Sequence, residues 1–332
     1  MKASKPTGMI IDLGAVIVAV TEDRPLVLVR HGPALDAVEA QSVARGFDVA
    51  GDALPSGPFD ATRHRTLDRG LRETVTGRIG VTLGYVEQLY TFGDSGRHPR
   101  EREGGPRVIS VGYLALTHEA EMSPPDNAAW RSWYDYFPWE DWRKGRPAFI
   151  DKVIAPLLHA WIRAAPAQSE QRQDRANICF ALDGASWDEE IVLERYELLY
   201  EAGLVAEARR EGEEKKPVQA PPPLGNPMMS DHRRILATAM GRLRAKLKYR
   251  PVVFDLMPES FSLFQLQRTV EAILGAPLHK QNFRRLVEKS RVVESTGEIQ
   301  PQQRGRPAAL FRFRREVLRE RLAAGVRISS PR

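Results

Sequence analysis

Cysteine is almost missing from this chain: Cys179 stands alone among 332 residues. One thiol cannot close an intramolecular disulfide or furnish a Cys-rich zinc site. In the apolar setting RANICFAL it is expected as a small buried residue. The seven histidines show neither H-x-H nor H-x3-H spacing, so no dedicated metal site and no prosthetic group is expected. Long apolar runs are missing too. The first candidate, MIIDLGAVIVAV, is interrupted by Asp12 and falls short of the roughly 20 residues that a spanning helix needs. No charged segment leads into a small-residue cleavage site. The expected location is the cytoplasm.

What is present is a globular composition, 42% hydrophobic and 28% charged, with enough chain for two cores. The net charge of +6 is unevenly placed. From Met228 to Arg332, 22 Lys/Arg oppose 9 Asp/Glu, while the first 227 residues carry 27 against 34. An acidic front and a basic back fit a nucleic-acid-binding C-terminal domain on a non-binding N-terminal one. A merely solubilising basic surface is the alternative.

Along the chain, AVIVAVTEDRPLVLVR (15–30) reads as a two-stranded hairpin and LPSGPF (54–59) as a loop. A helix over 65–77 places Leu67, Leu71 and Val75 on one face. YVEQLYTFGD and RVISVGYLALTHE read as strands, with a polar loop between them. Strand, helix and strands in this order predict an α/β or α+β domain. WRSWYDYFPWEDWRKGRP then holds Trp130, Trp133, Trp139 and Trp142, four of the six tryptophans. It is either an aromatic patch packed on the main domain or an interface or stacking surface. FIDKVIAPLLHAWIRAA and WDEEIVLERYELLYEAGLVAEARREG read as helices. Residues 211–227, charged then Pro-rich, read as a flexible or extended linker. DHRRILATAMGRLRAKLKY (231–249) is an amphipathic helix. Its apolar stripe is Ile235, Leu236, Ala239, Leu243 and Leu247, with Arg and Lys on the other face.

The C-terminal region is the most informative. Ser262 and Gln265 form a capping box ahead of a helix burying Leu263, Leu266, Val270, Ile273 and Leu274. Gly275-Ala-Pro277 breaks it. A second helix, HKQNFRRLVEKS, turns Phe283, Leu286 and Val287 inward and Lys280, Gln281, Asn282, Arg284 and Arg285 outward. That is a helix-turn-helix pattern whose outward side chains carry the donor and acceptor forks that read base edges. Val292-Val293 and Leu310, Phe311 and Phe313 mark two wing strands. Between them Arg304-Gly305-Arg306-Pro307 is narrow and cationic, suited to a minor groove or backbone.

Residues 71–94, LRETVTGRIGVTLGYVEQLYTFGD, pose a separate question. The front half resembles the Nudix hydrolase signature, G-x5-E-x7-R-E-U-x-E-E-x-G-U, with U a bulky apolar residue. Nudix chemistry needs Mg²⁺ on clustered glutamates. Anchored on Gly80-Val81, the paired glutamates fall at Gly77 and Arg78, the Arg-Glu at Glu73-Thr74, and the upstream glutamate at Arg65. Anchored on Arg72-Glu73, the pair falls at Thr76 and Gly77 and the upstream position at His64. Either register loses the metal cluster. Arg63, Arg65, Arg69, Arg72 and Arg78 with His64 make the region basic, either a solvated face or a contact for phosphates.

Taken together, YVEQLYTFGD, RVISVGYLAL, the basic helix at 231–249, residues 256–288 and GRPAALFRF resemble the NrtR-type regulators of NAD metabolism. The Trp-rich middle segment brings the chain closer to the related NadQ repressors. The resemblance implies an α+β chain: a Nudix-like α/β/α sandwich domain with a helical insert, followed by a winged helix-turn-helix domain. The expected limits are 8–249 for the effector-sensing part, with the insert and linker at about 123–227, and 250–328 for the DNA-binding part. It further implies a homodimeric repressor of NAD biosynthesis genes on a palindromic operator. A nucleotide effector (NAD, ATP or ADP-ribose) would be held without hydrolysis. Effector candidates are Ser56, Gly57, Tyr90, Phe92 and Arg97. DNA candidates are Lys280, Gln281, Asn282, Arg284 and Arg285 for the major groove, with Arg304 and Arg306 on the wing. Two rivals stand beside this: a pyrophosphohydrolase using Glu73, Glu87 or Glu119, and a DNA binder with no ligand response.

Overall fold

The computed structural model describes residues 8–30, 51–80, 83–94, 98, 101, 104–118, 128–211, 222–300 and 307–316. Its centre is a mixed sheet in the order β4-β5-β1-β2-β6, with β3 also on β1. The strands are β1 (Met9–Thr21), β2 (Arg24–Arg30), β3 (Ser56–Pro58), β4 (Val86–Phe92), β5 (Arg107–Leu116) and β6 (Ala128–Ser132). β1 and β5 run parallel, and the other pairings are antiparallel. The period-2 alternation of β1 decides its two faces. Leu13, Ala15 and Ile17 join a core with Leu71 and Val75 of α1 (Leu67–Ile79), whereas Val16 and Val18 join the larger core on the opposite face. Helix α1 starts on Thr66, whose side chain accepts from the Arg69 amide, and stops at Gly80 with φ 74°.

The opposite face is covered by α7 (His232–Leu247) and by the insert. The insert comprises a single turn α2 (Trp133–Tyr136), a π-helical turn at Ile150–Ile154 leading into α3 (Ala155–Arg163), then α4 (Ser169–Phe180), α5 (Val192–Glu201) and α6 (Ala206–Glu211). Three sequence expectations change here. Residues 187–211 do not form one helix: α5 begins only at Val192, and Gly203 at φ 68° separates it from α6. The stretch 54–59 is not all loop, because Ser56 and Gly57 pair with Gly14 and Leu13. The end of the expected linker is packed: Leu224 is buried, and the Asn226 amide donates to the Asp135 carbonyl at 2.8 Å. The aromatic stretch is core, with Trp133, Tyr136, Phe137 and Trp139 all essentially inaccessible.

The C-terminal unit is β7 (Phe261–Ser262), α8 (Leu263–Leu274), α9 (Lys280–Ser290), β8 (Val293–Gln300) and β9 (Ala308–Phe313), with sheet order β7-β9-β8. That is a winged helix, and its core residues Leu266, Val270, Ile273, Phe283 and Val287 are continuous with the large core of the body.

Candidate nucleic-acid interface

Helix α8 is capped as its sequence requires. The Gln265 amide donates to Ser262 Oγ at 3.2 Å, and the Ser262 amide donates back to Gln265 Oε1 at 2.8 Å. Behind it α9 buries Phe283 and Val287 and leaves Lys280, Gln281, Asn282, Arg284 and Arg285 exposed on the outer face. Among the described residues no carboxylate pairs with Lys280, Arg284 or Arg285, so their charges face solvent uncompensated. Such a face is suited to phosphates and base edges. Arg304 and Arg306 lie outside the described residues.

The joint holding this unit to the body has no motif of its own in the sequence. A helix leaves its last carbonyls without intrahelical partners. At the end of α8 the body supplies partners for them. Tyr134 Oη donates to Ala272 O at 2.7 Å, Arg244 Nε to Ile273 O at 2.9 Å, and the Trp142 amide to Gly275 O at 2.6 Å. Gly275 sits at φ 72°, and a Cβ there would lie 2.3 Å from the Glu140 carbonyl oxygen. Only glycine allows this approach.

Arg244 belongs to a buried ion cluster. Its Nη1 lies 2.5 Å from Glu140 Oε2, while Arg195 Nε lies 2.6 Å from Glu140 Oε1, and all three side chains are fully inaccessible. Two guanidinium groups against one carboxylate leave an excess positive charge. Carbonyls of Cys179, Asp188, Glu189 and Ile273 accept the remaining donors. Burial opposes the charge on Arg244, but Glu140 more than offsets it, and its pKa is raised. The expectation that arginines of this helix fill a solvated face is therefore corrected, because Arg233 and Arg244 are both buried. The spacing carried the signal. Leu236, Met240 and Arg244 recur every four residues, which puts Arg244 on the apolar stripe.

The glutamates of the degenerate box region are engaged elsewhere. Glu73 accepts from Arg69 Nε at 2.8 Å and lies 3.3 Å from His64 Nε2. Hydrogen bonding from Arg69 holds its carboxyl below the usual range despite the opposing effect of desolvation. Arg72 donates to the Leu83 carbonyl at 2.7 Å and to Asp68 at 3.1 Å. Glu87 is on the other face of the sheet. There Lys246 Nζ of α7 lies 2.5 Å from its Oε2, and Tyr85 Oη donates to the same oxygen at 2.7 Å. Val86 between them packs toward α1. Glu73 and Glu87 thus cannot converge on one ion. Glu119 lies outside the described residues, and among the described residues no group of three metal-ligating side chains is found.

The effector candidates are spread over the sheet. Ser56 and Gly57 are in β3 on β1, while Tyr90 and Phe92 are in β4, beyond β5. Three strand spacings separate the two pairs, about 14 Å. Gly57 is buried. Phe92 is a core residue: its ring and Ile235 of α7 crowd Gly112, where a Cβ would lie 3.2 and 3.1 Å from them. Tyr90 is 63% exposed, its ring edge-on to Phe92 at 5.3 Å. Arg97 lies outside the described residues.

Comparison with known proteins adds to this geometry. Residues 253–313 match the model of the NrtR DNA-binding winged helix domain. An ADPR responsive transcriptional repressor NtrR of Acinetobacter baylyi is 42% identical over 83 residues, 25% of this chain. The match spans 33% of the length of that relative. The structure of Shewanella oneidensis NrtR complexed with a 27mer DNA superposes with a TM-score of 0.53 at 19% identity, covering 92% of this chain and 93% of that one. A MutT/nudix family protein from Enterococcus faecalis superposes with a TM-score of 0.50 at 14% identity, covering 95% and 90%. Residues 253–313 are thus a winged-helix domain of the NrtR type, and the chain as a whole has an NrtR-like fold, a Nudix-like body with a helical insert followed by that winged helix.

Proposed function

We propose that this chain is a cytoplasmic transcriptional repressor of NAD biosynthesis genes, in which residues 8–249 sense a nucleotide and residues 250–328 bind DNA. The observation that carries it is the uncompensated Lys280, Arg284 and Arg285 face of α9 on an NrtR-type winged helix. α9 enters the major groove, Lys280, Gln281, Asn282, Arg284 and Arg285 contact bases and phosphates, and Arg304 and Arg306 take the backbone or the minor groove. A lone winged helix covers little DNA, so a homodimer on a palindrome, with half-sites about 34 Å apart or a multiple of it, is proposed. The effector is ADP-ribose, in keeping with the response named for the Acinetobacter baylyi relative. The body binds it without cleavage, with the exposed ring of Tyr90 as one stacking candidate. The placement of Glu73 and Glu87 on opposite faces argues against the hydrolase reading.

Fluorescence anisotropy on DNA from the chain's own upstream region tests this, with ADP-ribose, NAD and ATP added in turn. The expected result is sequence-selective binding shifted by ADP-ribose. Equal affinity for scrambled DNA, or indifference to all three nucleotides, would sink it. Incubation of ADP-ribose with Mg²⁺ tests the rival. Turnover near 1 s⁻¹ or faster, about the range of ordinary enzymes, would establish a hydrolase instead.

A further inference from the structure

The turn between β1 and β2 contains two residues, Glu22 and Asp23, with Thr21 paired to Arg24 across it. Both have positive φ, 48° and 61°. Turns of this kind favour Asn and Gly, yet an acidic side chain stands at each position. Asp23 is held from two directions. Its carbonyl accepts from Arg143 of the insert, which is itself clamped by Asp141 at 2.8 Å and lies over the Tyr134 ring. Its carboxylate accepts from Arg268 of α8, with Nε and Nη2 each 2.8 Å from Oδ2.

Arg268 passes this contact on. Its Nη1 donates to Glu271 Oε2 at 3.1 Å. The other oxygen of Glu271 accepts from the Leu278 amide at 2.9 Å and from Gln267 Nε2 at 3.0 Å, and Gln267 also donates to the Leu278 carbonyl. Glu271 is buried. Leu278 precedes the first residue of α9 by two positions. An unbroken series of hydrogen bonds therefore runs from a hairpin of the body to the turn from which α9 starts. Beside it lies a cleft of about 620 Å³ lined by Val20, Thr21, Asp23, Met257, Gln265 and Thr269. The C-terminal end of α8, just after Glu271, is held by Tyr134, Arg244 and Trp142, whereas the cleft flanks α8 at Gln265 and Thr269 near Asp23.

We infer that Asp23 is a positioning residue for the DNA-reading helix: through Arg268 and Glu271 it sets the turn ahead of α9 according to the state of the body. This rests on the reading of α9 as the DNA-contacting helix and of the body as the sensor. The pair is partly exposed, 36% and 40%. Its loss is expected to change a local equilibrium by about two- to fivefold, the range of exposed ion pairs.

Asp23→Asn keeps a residue suited to positive φ and removes the charge, and Arg268→Gln removes the partner. These substitutions shift net charge in opposite directions, so a long-range effect on DNA would oppose itself while loss of the relay acts alike. Amide hydrogen exchange on the full chain is the first readout. Both variants are expected to speed exchange at Leu278 by about two- to fivefold, with α7 unchanged and the melting temperature preserved. The double variant is expected to do no more than either single. The second readout is the ratio of operator affinities with and without ADP-ribose, expected to fall toward one in both variants. Leu278 exchange equal to wild type, or additive single effects, would overturn the relay. A wild-type affinity that ignores ADP-ribose would overturn the sensor reading and leave exchange at Leu278 to decide whether Asp23 positions the turn.

Discussion

Arg244 on α7 donates its Nε–H to the carbonyl of Ile273, the second-last residue of α8, at 2.9 Å, from a side chain with no solvent exposure. The same guanidinium is paired with Glu140. Removing Arg244 leaves Glu140 paired with Arg195 alone and strips the buried carbonyls of Ile273 and Glu189 of the guanidinium donors. Arg244→Met is therefore expected to destabilise the fold by about 1–3 kcal/mol, the cost of buried acceptors left unsatisfied. Arg244→Lys should recover little, because an ammonium lacks the planar fork. Urea denaturation at pH 7 measures this, and a loss below about 1 kcal/mol would show that the cluster contributes no more than a surface pair.

Gly275→Ala should act at the same place by a different route. The substitution puts a side chain on a residue at φ 72°, with its Cβ in overlap with the Glu140 carbonyl. The conformational part alone costs about 1–2 kcal/mol, and the overlap adds to it. Thermal melting should fall by several degrees. Operator binding should weaken as well, since α8 can no longer seat against Tyr134 and Trp142. An unchanged melting temperature would contradict the close approach.

On α9, Arg284→Ala and Arg285→Ala separate two kinds of contact. If the residue touches a phosphate, affinity drops uniformly across sequences and the slope of log K against log salt becomes shallower by about 0.9. If it reads a base edge, discrimination at one operator position falls by about 1–3 kcal/mol. Titrations at several salt concentrations, on operators changed at single positions, distinguish the two. No effect on either quantity would remove that residue from the interface.

Cys179 is buried, and desolvation pushes its thiol up to about 11 from an ordinary value near 9.0. The folded-state value is raised, so the associated stability is fully present below about pH 9 and is lost as pH rises through about 11. Two pH units correspond to about 3 kcal/mol. The stability difference between wild type and Cys179→Ala should shrink over that window, measured by urea titration at pH 8, 9 and 10.5. At pH 8 the native thiol should react with a disulfide reagent far more slowly than in urea. Equal rates would place the thiol at the surface.

The sequence carried the helices and strands with strong periodicity. The apolar stripe of 231–249, the hairpin within 15–30, the strand in RVISVGYLALTHE and the Ser262–Gln265 cap all appear in the structure, although β1 already starts at Met9. Neither α4 (Ser169–Phe180) nor β6 (Ala128–Ser132) carries a strong pattern in the sequence. α4 has a weak apolar face, with Ala176, Cys179 and Phe180 buried at one end only. β6 is recruited by pairing with β2 rather than by its own alternation. The exposed face of α9 was legible because one helix suffices to define it. Glu140 was not, because its partners Arg195 and Arg244 are 55 and 104 residues away. Composition showed only a basic helix and an aromatic stretch, and the burial of their charges depends on long-range packing.

The satisfied carbonyls at the end of α8 bear on how such chains can be recombined. A winged helix cut at residue 253 would leave behind Tyr134, Trp142 and Arg244, the groups that complete its first helix. The winged-helix unit is therefore not a detachable cassette at the boundary its own motif suggests. A chimaera carrying it to another body is expected to fold well only if residues 132–145 and the face of α7 around Arg244 travel with it. Their inheritance as a set would leave the exposed face of α9 free to diverge while its seat stays fixed.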